Sequence, residues 1–240
     1  MVSNCDQEQR QFEVSNDLAP ASSHNPRDPL KQVERFANLR VAGVRLSEEL
    51  RRTRSFEDFI VLAIALGGVP VGHELAMRLG LPFDLVLIRR LLVPDGPGSE
   101  QCAVNVAGTL IVDNDIDVRE TPLTPLDHFL TDALLGFRQR EQICRGGKPA
   151  MNLAGQNVLL VDCGIHTGST MKTAVTALRK LKPRTIVGAA PIISREGHAA
   201  VAPLFDELIY LGMPDQFINT GYWFRDFTRP ADEQIGDLLD

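Results

Sequence analysis

The chain has no long basic run, no paired-cysteine motif, no apolar stretch of membrane-spanning length and no internal repeat. Each absence removes a class of protein. With 25 Lys and Arg against 31 Asp and Glu, the net charge is −6, so the electrostatic footprint of a duplex nucleic-acid binder is missing. Cys5, Cys102, Cys144 and Cys163 are far apart and form no CxxC. That spacing argues against a zinc site or a disulfide frame and fits the reduced thiols of a cytoplasmic protein. A membrane helix needs about 18 or more consecutive apolar residues, which the chain does not offer. The N-terminus lacks a basic-then-apolar leader pattern. Three common motifs are missing too: GxxxxGK[ST] of nucleotide-binding loops, GxGxxG of dinucleotide folds and GxSxG of hydrolase elbows.

What is present is an ordinary globular composition, 44% hydrophobic and 23% charged over 240 residues. This suits one sizeable α/β domain with an appendage. Residues 1–30 are polar, with few aliphatics, and read as a disordered or loosely docked tail ahead of a domain over 31–240. The centre of that domain is residues 158–171, VLLVDCGIHTGSTM. Its apolar start reads as a buried parallel strand ending at Asp162. Gly164 and Gly168 follow, with Thr167, Ser169 and Thr170 around them. From Met171 the apolar residues fall at helical spacing, and Arg179, Lys180 and Lys182 precede the stop at Pro183. A strand, glycine-rich turn and helix in this order aim backbone N–H groups and the positive end of a helix at one point, which suits a phosphate. Asp162 stands beside that point, at the carboxyl end of the strand.

A second unit precedes it. Residues 59–66 are a buried strand, Gly67 and Gly68 a turn, 71–79 a helix capped by Gly80, and 83–89 another strand, together a right-handed βαβ unit. Residues 32–54 are expected as one or two helices packing on the sheet, 104–112 as short strands and 131–143 as a helix. Strands are expected at 185–190, ended by Pro191, and at 207–211. Arg195 and Glu196 read as a surface turn, and the acidic residues 113–117 as a solvated one rather than a metal site.

These residues resemble the type I phosphoribosyltransferases. The loop Gly164 to Thr170 matches their G-x-x-T-G-x-T motif after an apolar strand and an acid. A bacterial branch is closer still. Residues 66–90, LGGVPVGHELAMRLGLPFDLVLIRR, follow its LxRGGVPVAxEVA…PLDVxxVRK segment, and residues 144–155, CRGGKPAMNLAG, lead into the central motif as in the branch. The C-terminal signature DxFxAVGxWYxDFxQxTDEEV matches from Asp215 and Phe217 through Gly221, Trp223, Asp226 and Phe227. The resemblance covers roughly residues 33–239. It implies an α/β fold with a central, mostly parallel sheet, helices on both faces and a small lobe from the terminal segments. A mobile lid is expected within 91–130. The chain departs from the branch at four places: Leu66 replaces an Arg, Cys163 the second acid of a pair, Arg90 a Lys, and His166 a small residue.

The implied activity is transfer of a phosphoribosyl group from PRPP to an unidentified nitrogenous small molecule, in nucleotide metabolism. Asp162, Arg89 and Arg90 are the candidate catalytic residues. Gly67, Gly68, Cys163, Gly164, Ile165, His166, Thr167, Gly168, Ser169 and Thr170 are the candidate substrate-binding residues. The cofactor is Mg2+, held mainly by the pyrophosphate of PRPP and not by a protein metal site, because the departing oxygens need neutralising. No nucleic-acid or membrane partner is expected, and a homodimer is compatible with the resemblance. The alternative is a catalytically weakened member that binds a ribose phosphate or nucleotide as a sensor or interaction module, favoured by Leu66 and Cys163. A thiol hydrolase built on Cys163 and His166 lacks a nameable orienting group and oxyanion hole. His73 reads as packed or solvated, His128 and His198 carry no partner pattern, and Tyr222, Trp223, Phe224 and Phe227 read as lobe core before base pocket.

Overall fold

A computed structural model of the chain describes residues 34–92, 100–106, 109–112 and 125–239, with side chains at 34–88 and 135–239. The expected tail and the acidic residues 113–117 lie outside the described residues, and the lid expected within 91–130 falls only partly on them. The elements in chain order are α1 (Leu39–Thr53), β1 (Phe59–Ile64), α2 (Gly68–Leu79), β2 (Phe83–Leu92), β3 (Glu100–Val106), β4 (Thr109–Val112), α3 (Pro125–Arg145), β5 (Asn157–Val161), α4 (Ser169–Lys180), β6 (Thr185–Ile192), α5 (Arg195–Val201), β7 (Glu207–Gly212) and α6 (Asp232–Gly236).

The described strands form one sheet in the order β4-β3-β2-β1-β5-β6-β7. From β2 to β7 every pairing is parallel, while β3 and β4 extend the β2 edge antiparallel. β5 shows why its sequence is an unbroken apolar run. Leu159 and Val161 pack with α1 and α2 on one face, and Val158 and Leu160 with α4 on the other, all at 0% exposure. Burying each such side chain contributes about 1.5–3 kcal/mol. The helices start and stop for local reasons. The Asn38 side chain accepts the Val41 N–H at 2.9 Å and caps α1, whose last turn carries Arg51 and Arg52. Gly80, left-handed at φ 68°, ends α2 as expected.

The connections decide where a ligand sits. From β1 the chain runs through α2 to β2 on one side; from β5 it runs through α4 to β6 on the other. β1 and β5 are neighbours, with Ala63 opposite Val161. Their outgoing turns therefore part and leave a crevice at the carboxyl ends of these two strands, the switch point where open α/β sheets bind ligands. The small lobe closes over it. The N–H of Phe36 donates to Trp223 O at 2.8 Å, and the N–H groups of Arg225 and Asp226 donate to Phe36 O and Ala37 O at 2.8 and 3.0 Å.

Several expected boundaries move. Of residues 32–54, those described (34–54) hold one helix, and α2 begins at Gly68 rather than 71. α3 runs from Pro125, well before 131, and β2 continues to Leu92 against β3. β6 passes through Pro191 to Ile192. Its pairing with β5 ends at Val161 and Ala189, so the proline forfeits no ladder bond on that side. Arg195 and Glu196 open α5 instead of a turn, because Ser194 Oγ accepts the Gly197 N–H at 2.8 Å as an N-cap. A buried polar joint ties the start of β2 to the end of α3 and the chain just after it. Asp84, at 2% exposure, accepts from Arg145 Nη1 at 2.6 Å and from the N–H groups of Leu85 and Met151 at 2.7 and 2.9 Å. Among the described residues no helix is long and apolar enough to cross a membrane.

Candidate active site

β5 carries Asp162 to the crevice, and the loop after it folds back under α5. Ile165 N–H donates to Ile192 O at 2.9 Å, and Ser194 N–H to Ile165 O at 2.8 Å. Ser194 Oγ donates to His166 O. Gly168 is left-handed at φ 80°, and a Cβ there would stand 2.6 Å from Val201 Cγ1, so only glycine fits against α5. α4 starts at the next residue, where Gly168 offers no side-chain cap and the Ser169 N–H donates to Thr167 Oγ1 at 3.4 Å, so the positive end of the helix faces this loop. A cavity of about 140 Å³ forms there, lined by Asp162, residues 164–171 and Thr220. Small, polar and seated on a helix N-terminus, it has the chemistry of a phosphate cradle.

The second glycine turn arrives from β1. A Cβ on Gly68 would stand 2.8 Å from Val161 O, 3.2 Å from Asp162 Cα and 3.6 Å from Asp162 Oδ1. Glycine at 68 thus lets the N-terminus of α2 lie directly on the end of β5. Two helix N-termini, those of α2 and α4, flank one carboxylate.

Asp162 Oδ1 accepts the Cys163 N–H at 2.7 Å. Desolvation pushes the Asp162 carboxyl up to about 6, against the smaller opposing effects of that hydrogen bond, of a second one from the Cys163 thiol and of the Arg229 charge. Asp162 is still ionised at neutral pH, and it stands ready to accept from hydroxyl groups.

Cys163 sits with its thiol between the Gly67 turn and the Asp162 carboxyl, to which the thiol donates a hydrogen bond. It is 6% exposed in the cluster with Val161, Phe36 and Trp223, and its Sγ would lie 2.6 Å from a Cβ on Gly67. Burial first, then the Asp162 charge, push its thiol well above the ordinary value. The thiolate that a hydrolase would need is disfavoured, and the exposed His166 ring stacks instead on Phe217, 5.1 Å between centroids. Ile165 is buried, and its N–H is spent on the sheet, so it props the loop. Leu66 packs beside Leu238 and Leu239 against the cluster of Ala63, Leu85 and Phe137. Arg89 and Arg90 sit in β2 past Val86, where pairing with β1 stops, opposite Ala103 and Cys102; their side chains lie outside the described residues.

His73 is half-buried against Phe83, and desolvation is the main cause of its lowered pKa. His198 packs edge-on to Tyr210, and the His128 side chain lies outside the described residues. Trp223 and Phe224 are buried core, at 7% and 2% exposure, whereas Tyr222 is 43% exposed. Three residues escaped the sequence reading: Thr220 in the cradle wall, Ser194 beneath the loop, and Arg229, whose Nε would lie 3.7 Å from a Cβ on Gly67. For Arg229 one signal was available: it stands where the C-terminal signature has Gln.

Two proteins from two strains of Mycobacterium tuberculosis, provisionally named phosphoribosyl transferases, are 32% identical over 201 residues, 83% of this chain. The chain spans about half the length of these curated relatives, 45%. The crystal structure of the Thermus thermophilus protein TT1426 superposes with a TM-score of 0.70 at 30% identity, covering 85% of this chain and 97% of that one. Residues 29–211 match the family model of the phosphoribosyl transferase domain, and the chain belongs to that family.

Proposed function

We propose that the protein transfers a phosphoribosyl group from PRPP to a nitrogenous small molecule and releases pyrophosphate. The observation that carries this reading is the convergence of two helix N-termini on Asp162 at the β1–β5 crevice. The cradle at α4 takes the 5′-phosphate through N–H groups and the hydroxyls of Thr167, Ser169 and Thr170. Asp162 accepts from the ribose hydroxyls and fixes the sugar. The N-terminus of α2 at Gly67 and Gly68 faces the pyrophosphate, with Arg89 and Arg90 as further candidates to meet its oxygens. In the reaction the bond from ribose C1 to the pyrophosphate oxygen breaks, and its electron pair leaves with pyrophosphate. The acceptor nitrogen bonds to C1 and gives up a proton.

Among the described residues no group of three or more His, Cys, Asp or Glu is placed to hold a metal ion. Mg2+ keeps several waters and binds chiefly through substrate phosphates, here the pyrophosphate of PRPP, which leaves Asp162 to the ribose hydroxyls. When bound, Mg2+ neutralises the departing pyrophosphate oxygens.

The test is pyrophosphate release from PRPP and Mg2+ across a panel of nitrogenous bases. Release that depends on one base supports transfer. Tight PRPP binding with no release under any base supports the second reading, a ribose-phosphate sensor. That reading rests on Cys163 lying under Gly67, where no second carboxylate meets the ribose.

A further inference from the structure

The β1–α2 turn brings N–H groups to the pyrophosphate position, but the side chain before it, Leu66, is spent on apolar packing. Arg229 reaches the same turn from the far end of the chain. Its Nε would lie 3.7 Å from a Cβ on Gly67, and its charge acts on both Asp162 and Cys163. The guanidinium rests over the Phe227 ring, 4.7 Å from the centroid, and the residue is exposed. Among the described residues it makes no ion pair or hydrogen bond. An unpaired cation held beside a glycine turn and a carboxylate is placed to take an anion.

Its surroundings point the same way. Arg229 and Arg40 line one cavity of about 420 Å³, which opens beside Pro70 in the first turn of α2. Asp226 and Asp237 line it as well. The Asp226 Oδ1 accepts the Thr228 N–H at 2.9 Å and Oγ1 at 2.6 Å.

We propose that Arg229 is the cation that meets the pyrophosphate of PRPP at Gly67 and Gly68, in place of a charged side chain at 66. This rests on the transferase reading above. A guanidinium presents two parallel N–H donors to phosphate oxygens and gains strength as charge builds on the leaving group. Carrying the cation on the terminal lobe rather than on the turn links leaving-group binding to docking of that lobe. The link runs through Phe227 on Phe224, at 5.2 Å, and Phe224 on Phe36, at 5.5 Å.

The experiment is calorimetric titration of Mg-PRPP and of ribose 5-phosphate into the full chain, as wild type, Arg229→Gln and Arg229→Lys. The two ligands differ by the pyrophosphate. Arg229→Gln is expected to weaken PRPP about tenfold to a hundredfold, the loss of a charge-assisted contact, with ribose 5-phosphate within about twofold. Arg229→Lys is expected to recover part of the loss. Equal PRPP affinity in wild type and Arg229→Gln overturns the role of Arg229 and leaves the transferase reading standing. So does an equal loss for both ligands, which marks a structural residue. Failure of the wild type to bind PRPP overturns both.

Discussion

Gly68 and Val161 touch across the crevice: a Cβ at 68 would stand 2.8 Å from the Val161 carbonyl oxygen. Backbone on backbone cannot yield as a flexible side chain can. Gly68→Ala must push the start of α2 away from β5, and with it the N–H groups offered to the pyrophosphate. The expected result is a loss of about 1–3 kcal/mol in stability, and PRPP affinity down at least about tenfold, which corresponds to 1.4 kcal/mol. Denaturant unfolding and calorimetry read both. Unchanged PRPP affinity would show that the contact does not position the site.

Asp162 gives a pH signature. Its folded-state value, about 6, lies above the ordinary 3.8, so folding penalises the ionised form. Stability from this group is fully present below about pH 4 and is lost as pH rises to about 6, where the folded protein gives up the proton. Asp162→Asn removes the penalty. At pH 7.5 the variant should be the more stable by about 1–3 kcal/mol, or roughly 2–8 °C in Tm, and the gap should close near pH 4. A Tm difference independent of pH would show that the carboxyl is not perturbed. PRPP binding by the wild type should weaken as pH falls through 6, where Asp162 is neutralised.

The joint of Asp84 and Arg145 tests the scaffold. Asp84→Ala leaves a guanidinium at 6% exposure with Glu141 as its remaining partner, 3.0 Å away. Removing one side of a buried pair costs about 3–5 kcal/mol, and Glu141 holds the loss to the lower end. Replacing both residues with apolar ones should cost less than Asp84→Ala alone. A loss below about 1 kcal/mol in the single variant would make the pair dispensable.

The strand, loop and helix around Asp162 were legible because their signals are local: an apolar run, two glycines and a change of period at Met171. The βαβ unit at 59–89 was legible for the same reason. What stayed hidden depends on side-chain direction and distant chain. Cys163 reads as a lost second acid, yet it packs under Gly67 with its thiol on the Asp162 carboxyl, and of the two only Asp162 lines the cradle. Arg229 reaches Gly67 only because the terminal lobe docks through Phe36 and Trp223. α5 is short, and its start signals, Ser194 and Glu196, come just past a strand, where Arg195 and Glu196 read as a surface turn.

Residues 1–30 are too polar to bury much apolar area, so they contribute little to offset the entropy of ordering them. Their deletion should leave Tm within about 2 °C of the full chain. A larger fall in a thermal melt would show that the tail is docked.

The central claim is that PRPP binds at the β1–β5 crevice on Asp162. Calorimetric titration of PRPP with Mg2+ into the wild-type chain and into Asp162→Asn at pH 7.5 tests it most directly. The account predicts saturable binding by the wild type and a loss of about tenfold or more in the variant, as a charged acceptor for the ribose hydroxyls is removed. Absence of binding by the wild type, or equal affinity in the two proteins, would contradict it.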